Sequence, residues 1–270
     1  MAIATMDDLV AALPGQVLSF YKPSVTAKAA GTWQSLWTAA GTPGAGSTPA
    51  SGTGGTVCTS STAGALTFIN PTGGDLTYLA RAMAATNTVG SLIVYDRLVT
   101  TSGLSGTSTG TQAVSSSALT RYTDGVNVTA WVEWYTATGG TAANLTLSYT
   151  DQAGTTGRTA PAVAFTQTPV IGQMQPIPLI GNDGIRVAES VTLSASTGTV
   201  GNFGITLMRR LLTIPMPLAN TSTSMDAFAA GLQEIKDSAC LAFAVWCSTT
   251  STGIVNGEIS LAQGLSLIHI

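Results

Sequence analysis

Five carboxylates lie in or beside strand-like runs: Asp96, Glu133, Asp151, Asp183 and Glu189. Two such groups could work as the acid and base of a glycosidase. Asp151 and Asp183 fall in turn sequences, however, where an aspartate side chain supports the turn itself. The single histidine, His269, stands next to the end of the chain. If it is set aside, Ser-His-Asp and Cys-His mechanisms have no base, and the commonest metal ligand is missing. There is no H-E-x-x-H, no paired C-x-x-C and no G-x-x-x-x-G-K-[ST]. The glycine-rich run at 41–55, GTPGAGSTPASGTGG, carries no lysine and no G-x-G-x-x-G spacing, so it reads as a loop. The residues predict a protein that is not an enzyme and holds neither cofactor nor metal.

Aromatic residues offer a different chemistry. Trp131, Trp134 and Tyr135 cluster in one strand-like run, and Trp131 and Tyr135 could present a surface to a carbohydrate ring or a protein partner. Trp131 and Trp134 must point to opposite faces of a strand, so one of them is expected in the core. The three cysteines, Cys58, Cys240 and Cys247, have no metal-like spacing and read as small core residues in a reducing compartment. The sequons at Asn127, Asn144 and Asn220 are chance matches in a threonine-rich chain.

These residues sit on recognisable elements. Thr5 and Asp8 form a capping box ahead of a short helix at 5–14, with Met6, Leu9, Val10 and Leu13 on one face. A strand at 16–21 follows, and Trp33, Leu36 and Trp37 have the spacing of a helical face. The alanine-rich run at 75–86 reads as another short helix, with a strand as the alternative. Strand patterns are clear at 91–99, 126–138 and 143–150, the second alternating Val126, Val128, Ala130, Val132 and Trp134 with Asn127, Thr129, Trp131, Glu133 and Tyr135. DQAGTTG at 151–157 reads as a hairpin loop, and the prolines of 161–179 place that stretch at an edge or a crossing between sheets. Strands are expected at 185–196, 202–214, 240–248 and 254–262. A helix capped by Thr223 and Asp226 should carry Phe228, Ala229, Leu232 and Ile235.

The expected fold is mainly β: an antiparallel, jelly-roll-like β-sandwich with short helices near the N- and C-termini. The expected organisation is a helix-and-strand segment at 1–37, a Gly/Ser/Thr/Pro-rich loop at 38–62 and a sandwich body at 63–218. Residues 219–264 complete the same domain. The closing LSLIHI at 265–270 resembles the translation of a transposon end used in preparing sequencing libraries, which would make it a non-native tail on a metagenomic fragment; the alternative is a native final strand continuing that of 258–262.

Charged residues make up only 9% of the chain, against roughly 25% in an average soluble protein. A net charge of -3 gives little protection against association, which suits a protein destined for an assembly. The longest apolar run, 240–246, is far short of the ~20 residues of a membrane span. The N-terminus carries Asp7 and Asp8 in place of the basic region of a secretory signal. With no basic cluster larger than Arg209-Arg210, neither nucleic acid nor membrane is an expected partner.

NLTLSYTDQAGTTGR at 144–158, PVIGQMQPIPLIGNDGIRVAESVTLSAS at 169–196 and TGTVGNFGITLMRRL at 197–211 together resemble virion proteins encoded near the head genes of tailed bacteriophages. The resemblance spans roughly residues 5–263 and rests on turns and strands, not on active-site residues. It implies a capsid-associated protein of decoration, cement or minor head type. Its partners would be the major capsid protein, other virion proteins and further copies of itself, in a particle assembled in the bacterial host cytoplasm. The alternative is a tail or receptor-binding module that recognises carbohydrate through Trp131 or Tyr135.

Overall fold

A computed structural model describes residues 5–13, 15–23, 29–181, 184–250 and 253–264. The chain opens with α1 (Met6–Ala11), β1 (Gln16–Lys22), β2 (Thr32–Ser35), β3 (Thr56–Val57), β4 (Leu76–Thr86) and β5 (Gly90–Thr100). Next come β6 (Gln112–Ala113), β7 (Val128–Thr136), β8 (Ala143–Asp151), β9 (Arg158–Thr159), β10 (Val163–Phe165) and β11 (Gln173–Ile177). It closes with β12 (Ile185–Leu193), β13 (Asn202–Met216), β14 (Thr223–Met225), α2 (Ala227–Ala230), β15 (Glu234–Ile235), β16 (Leu241–Cys247) and β17 (Val255–Gly264). The fold is mainly β, every strand pairing is antiparallel, and the sheets pack face to face as expected of a jelly-roll-like sandwich.

Closure of the central sheet could not be foreseen from the sequence. Its strands run in the order β13-β7-β11-β2-β16-β5, and β5 pairs with β13 again, so six strands form a ring with β3 attached to β5. Directly paired residues point to the same side of a sheet. The pairs Met174–Trp33, Met174–Glu133, Thr206–Trp131, Met208–Arg97, Ala244–Ile93 and Ala242–Tyr95 therefore all face one way, into the barrel.

The outward residues of this barrel form two cores. Leu92, Val94, Ile214, Leu241, Phe243 and Val245 pack against Phe20, Leu79, Ala82, Ala84, Val255 and Ile259 of the sheet β1-β17-β4-β14. Val128, Ala130, Val132, Trp134, Ile205 and Leu207 pack against Leu145, Leu147, Tyr149 and Val191 of the sheet β10-β8-β12-β6. Trp134 is thus the core tryptophan of the β7 pair, fully buried among Phe165 and Phe203.

Several local readings are present as expected. Thr5 accepts from the Asp8 N–H while the Asp8 carboxylate accepts from the Thr5 N–H, closing the capping box of α1. The proline-rich stretch does cross between sheets, with β10 in one and β11 in the barrel. Pro176 is tolerated in β11 because β2 reaches only Gln173 and Met174 on that side, so no ladder bond is asked of the missing N–H.

Other readings are corrected. The run at 75–86 is the strand β4, not a helix. Pairing with β17 on one side and with β14 and β15 on the other outweighs its alanine-rich helix preference, and its small side chains let the sheet approach the barrel closely. Trp33 lies in a strand held between β11 and β16, so the helical spacing of 33, 36 and 37 is coincidental. The C-terminal helix is a single turn capped by Asp226 alone, because Thr223 is taken by pairing with Ala84, and Gly231 at φ 68° ends it. The loop at 38–62 is folded onto the body: its own Ala39 and Cys58 are buried, the Gly46 N–H bonds the Trp37 carbonyl, and it contains the short strand β3.

Candidate functional site

Barrel closure decides what the candidate residues can do. Asp96, Arg97, Glu133 and Tyr135 all lie on β5 and β7, and closure takes Arg97, Glu133 and Tyr135 into the interior. Arg97 is 0% exposed, and its Nη2 lies 2.7 Å from Glu133 Oε2. The same nitrogen donates to Thr100 Oγ1 at 2.7 Å and to Tyr135 Oη at 3.3 Å. Thr206 and Tyr135 donate to Glu133 Oε2 at 2.6 and 3.2 Å. The Trp37 ring closes this end of the barrel, 4.6 Å from the Arg97 guanidinium carbon. Burial alone would raise the Glu133 carboxyl, but Arg97 and the Thr206 hydroxyl override it and hold the group below the ordinary glutamate value. Burial likewise opposes the charge on Arg97, and Glu133 more than restores it.

The neighbouring Asp96 faces outward and is equally buried. Arg121 grips it with two bonds, Nε to Oδ2 at 2.9 Å and Nη2 to Oδ1 at 2.8 Å, while the Cys240 N–H donates to Oδ1 at 2.8 Å. Burial pushes the Asp96 carboxyl above its ordinary value against the pull of Arg121. Arg121 also donates to the Cys58 carbonyl at 2.9 Å, so this ion pair ties the ends of β3 and β16 to β5. All three cysteines are buried.

The remaining carboxylates serve turns and pairings. Glu189 accepts from Ser148, Thr150 and the Gly157 N–H, closing the β8–β9 hairpin. Asp151 accepts from the Thr155 N–H at 2.8 Å and lies 3.4 Å from Arg158. Asp183 and His269 lie outside the described residues. Among the described residues, no three His, Cys, Asp or Glu side chains are grouped to hold a metal. No described helix is long and apolar enough to cross a membrane.

The aromatic pair separates along the barrel axis. Tyr135, 7% exposed, commits its hydroxyl to the Arg97–Glu133 network. Trp131, 9% exposed, lies two turns of the pleat away at the opposite mouth, edge-on to Trp33 with ring centroids 6.1 Å apart. There it lines a cavity of about 410 Å³ with Ile93, Met208, Asn127, Arg210 and Gln233. An adjoining cavity of about 420 Å³ shares Asn127 and Arg209 with it and is lined also by Tyr122, Asp124, Glu234 and Lys236. Arg209 divides the two, stacked 4.6 Å over Tyr122 and donating to the Val126 carbonyl at 2.8 Å.

Sequence reasoning passed over Arg97, Arg121 and Lys22. The signal for Arg97 was present, since Asp96-Arg97 interrupts the apolar run SLIVYDRLV where no turn is due. Lys22, 1% exposed, donates to the carbonyls of Ala39 at 2.8 Å and Gly44 at 3.2 Å, and burial lowers its pKa to about 8.

No protein-family model matches the chain, and no curated protein matches it. Among solved structures, that of the infectious bursal disease virus Gt strain aligns over 93% of this chain and 82% of its own, at 11% identity and a TM-score of 0.22. The VP2 subviral particle of infectious bursal disease virus aligns over 93% and 80%, at 11% identity and a TM-score of 0.20.

Proposed function

We propose that this chain is a structural protein of a virus particle, associated with the capsid and acting through protein–protein contacts rather than catalysis. The observation that carries the reading is where the few charges go. The chain has 10 Lys and Arg and 13 Asp and Glu, and among the described residues six of these are buried inside the molecule: Lys22, Asp96, Arg97, Arg121, Glu133 and Asp151. The surface left over is largely Ser, Thr, Gly and apolar, with Val10, Val17, Ile69, Leu218 and Phe228 each more than half exposed. Such a surface can be buried against a partner with few ions to desolvate, each of which costs several kcal/mol when left unpaired.

The finer reading, on the resemblance given above, is a decoration, cement or minor head protein of a tailed bacteriophage. It would contact the major capsid protein and its own copies in the virion, after assembly in the host cytoplasm. Contacts of about 800 Å² per partner, repeated over a shell, would reinforce one another by multivalency. Co-sedimentation of the purified chain with phage heads tests this. Saturable binding at a copy number that matches the shell symmetry is expected, and no binding to heads lacking the protein would overturn it. A second reading, a tail module that recognises carbohydrate, is favoured by one observation: Trp131 lines an open cavity at the barrel mouth.

A further inference from the structure

We infer that the barrel mouth is a binding site for an acidic sugar, a pyranose unit bearing a carboxylate. The inference deepens the carbohydrate reading and is independent of where the chain sits in a particle. Its starting point is a cavity of about 410 Å³, within the ~300–1,000 Å³ usual for small-ligand sites, which often lie at barrel mouths.

Trp131, Ile93 and Met208 give the cavity an apolar floor. The indole N–H of Trp131 is spent on Thr129 Oγ1 at 3.1 Å, so what the ring offers to the cavity is carbon surface. Sugar C–H faces pack on such surfaces. The walls carry the side-chain amides of Asn127 and Gln233, which make no hydrogen bond among the described residues. Each supplies both donors and acceptors, the mixture that neighbouring hydroxyls need.

Charge sets the class of sugar. The lining includes two arginines and no carboxylate. Arg209 is committed to Tyr122 and the Val126 carbonyl. Arg210 is exposed and makes no hydrogen bond or ion pair among the described residues. A free guanidinium beside an apolar floor matches a carboxylate by a two-bond fork. The adjoining cavity carries Asp124 and the ion pair Glu234–Lys236 at 2.7 Å, so a second unit reaching across Arg209 would be neutral.

Titration of the full chain with glucuronate, followed by tryptophan emission and calorimetry, tests the site. Glucose, benzoate and inorganic phosphate serve as comparison probes. Saturable glucuronate binding is expected, stronger than that of all three. Arg210→Ala should weaken it by about tenfold or more, as loss of a charge-assisted fork implies. Arg210→Lys should retain part, and Arg81→Ala, on the exposed face of β4, should change nothing. Trp131→Phe should weaken it while keeping the floor filled, which guards against misfolding of Trp131→Ala. Glucuronate binding no tighter than benzoate or phosphate, or unaffected by Arg210→Ala, would overturn the inference. Glycan binding that is confined to neutral sugars and survives Arg210→Ala would overturn this site while leaving the carbohydrate reading standing.

Discussion

Glu133→Gln removes the negative half of an ion pair sealed inside the barrel. The substitution keeps the size and planarity of the side chain, so Thr206 and Tyr135 can still find an acceptor. The charge on Arg97 loses its counterion 2.7 Å away, at a position with no exposure to water. A guanidinium cannot shed its proton at any pH that a folded protein survives, so the charge stays buried and unpaired. Breaking a buried pair on one side costs about 3–5 kcal/mol, a large share of the ~5–15 kcal/mol that stabilises a typical domain. Arg97→Met should behave differently. Glu133 can then take up a proton, and burial without Arg97 raises its pKa above the unfolded value. The folded state then binds more protons than the unfolded one across that interval, so stability is regained as pH falls and lost as pH rises. Replacing both residues with apolar ones should come close to neutral. Urea unfolding of the four proteins at pH 5 and pH 8 reads all of this. A Glu133→Gln loss below about 1 kcal/mol, or equal pH dependence in the two single variants, would refute the sealed-pair reasoning.

Lys22 gives the opposite sign of pH dependence. Its pKa, lowered by burial from 10.5 to about 8, means the unfolded state binds more protons between those values, so stability should rise with pH across that window. In Lys22→Met that increment should vanish from the urea midpoints, measured against the parent at the same pH values. Cys58, Cys240 and Cys247 should resist a thiol reagent until the protein unfolds, and prompt modification of the native chain would contradict their burial. Gly204→Ala should lower thermal stability by roughly 1–3 kcal/mol, because the added methyl meets the Thr101 carbonyl, whereas Gly110→Ala, which opens onto free space, should be neutral.

The sequence was most legible where a local rule and the tertiary structure agreed. The β7 alternation put Trp131 and Trp134 on opposite faces with one of them in the core, which is where Trp134 lies, and the Thr5–Asp8 box placed α1. β4 was misread because its residues prefer helix in isolation, and only its partners β14, β15 and β17 make it a strand. The site was half legible for a related reason. Period-2 alternation gives two faces but cannot say that one of them is a closed interior. The face bearing Trp131, Glu133 and Tyr135 looked available to solvent, and pairing of β5 with β13 turned it inward, leaving Trp131 at the mouth. Arg210 was visible as half of a basic dipeptide, and its freedom beside that mouth needed coordinates.

A reconstruction of a phage particle that carries this gene tests the central claim most directly. The account predicts density for a six-stranded barrel flanked by two smaller sheets, repeated at symmetry-related positions and seated through low-charge surface. A complete, fully interpreted particle with no such density, and with the protein absent from its mass spectrum, would contradict it.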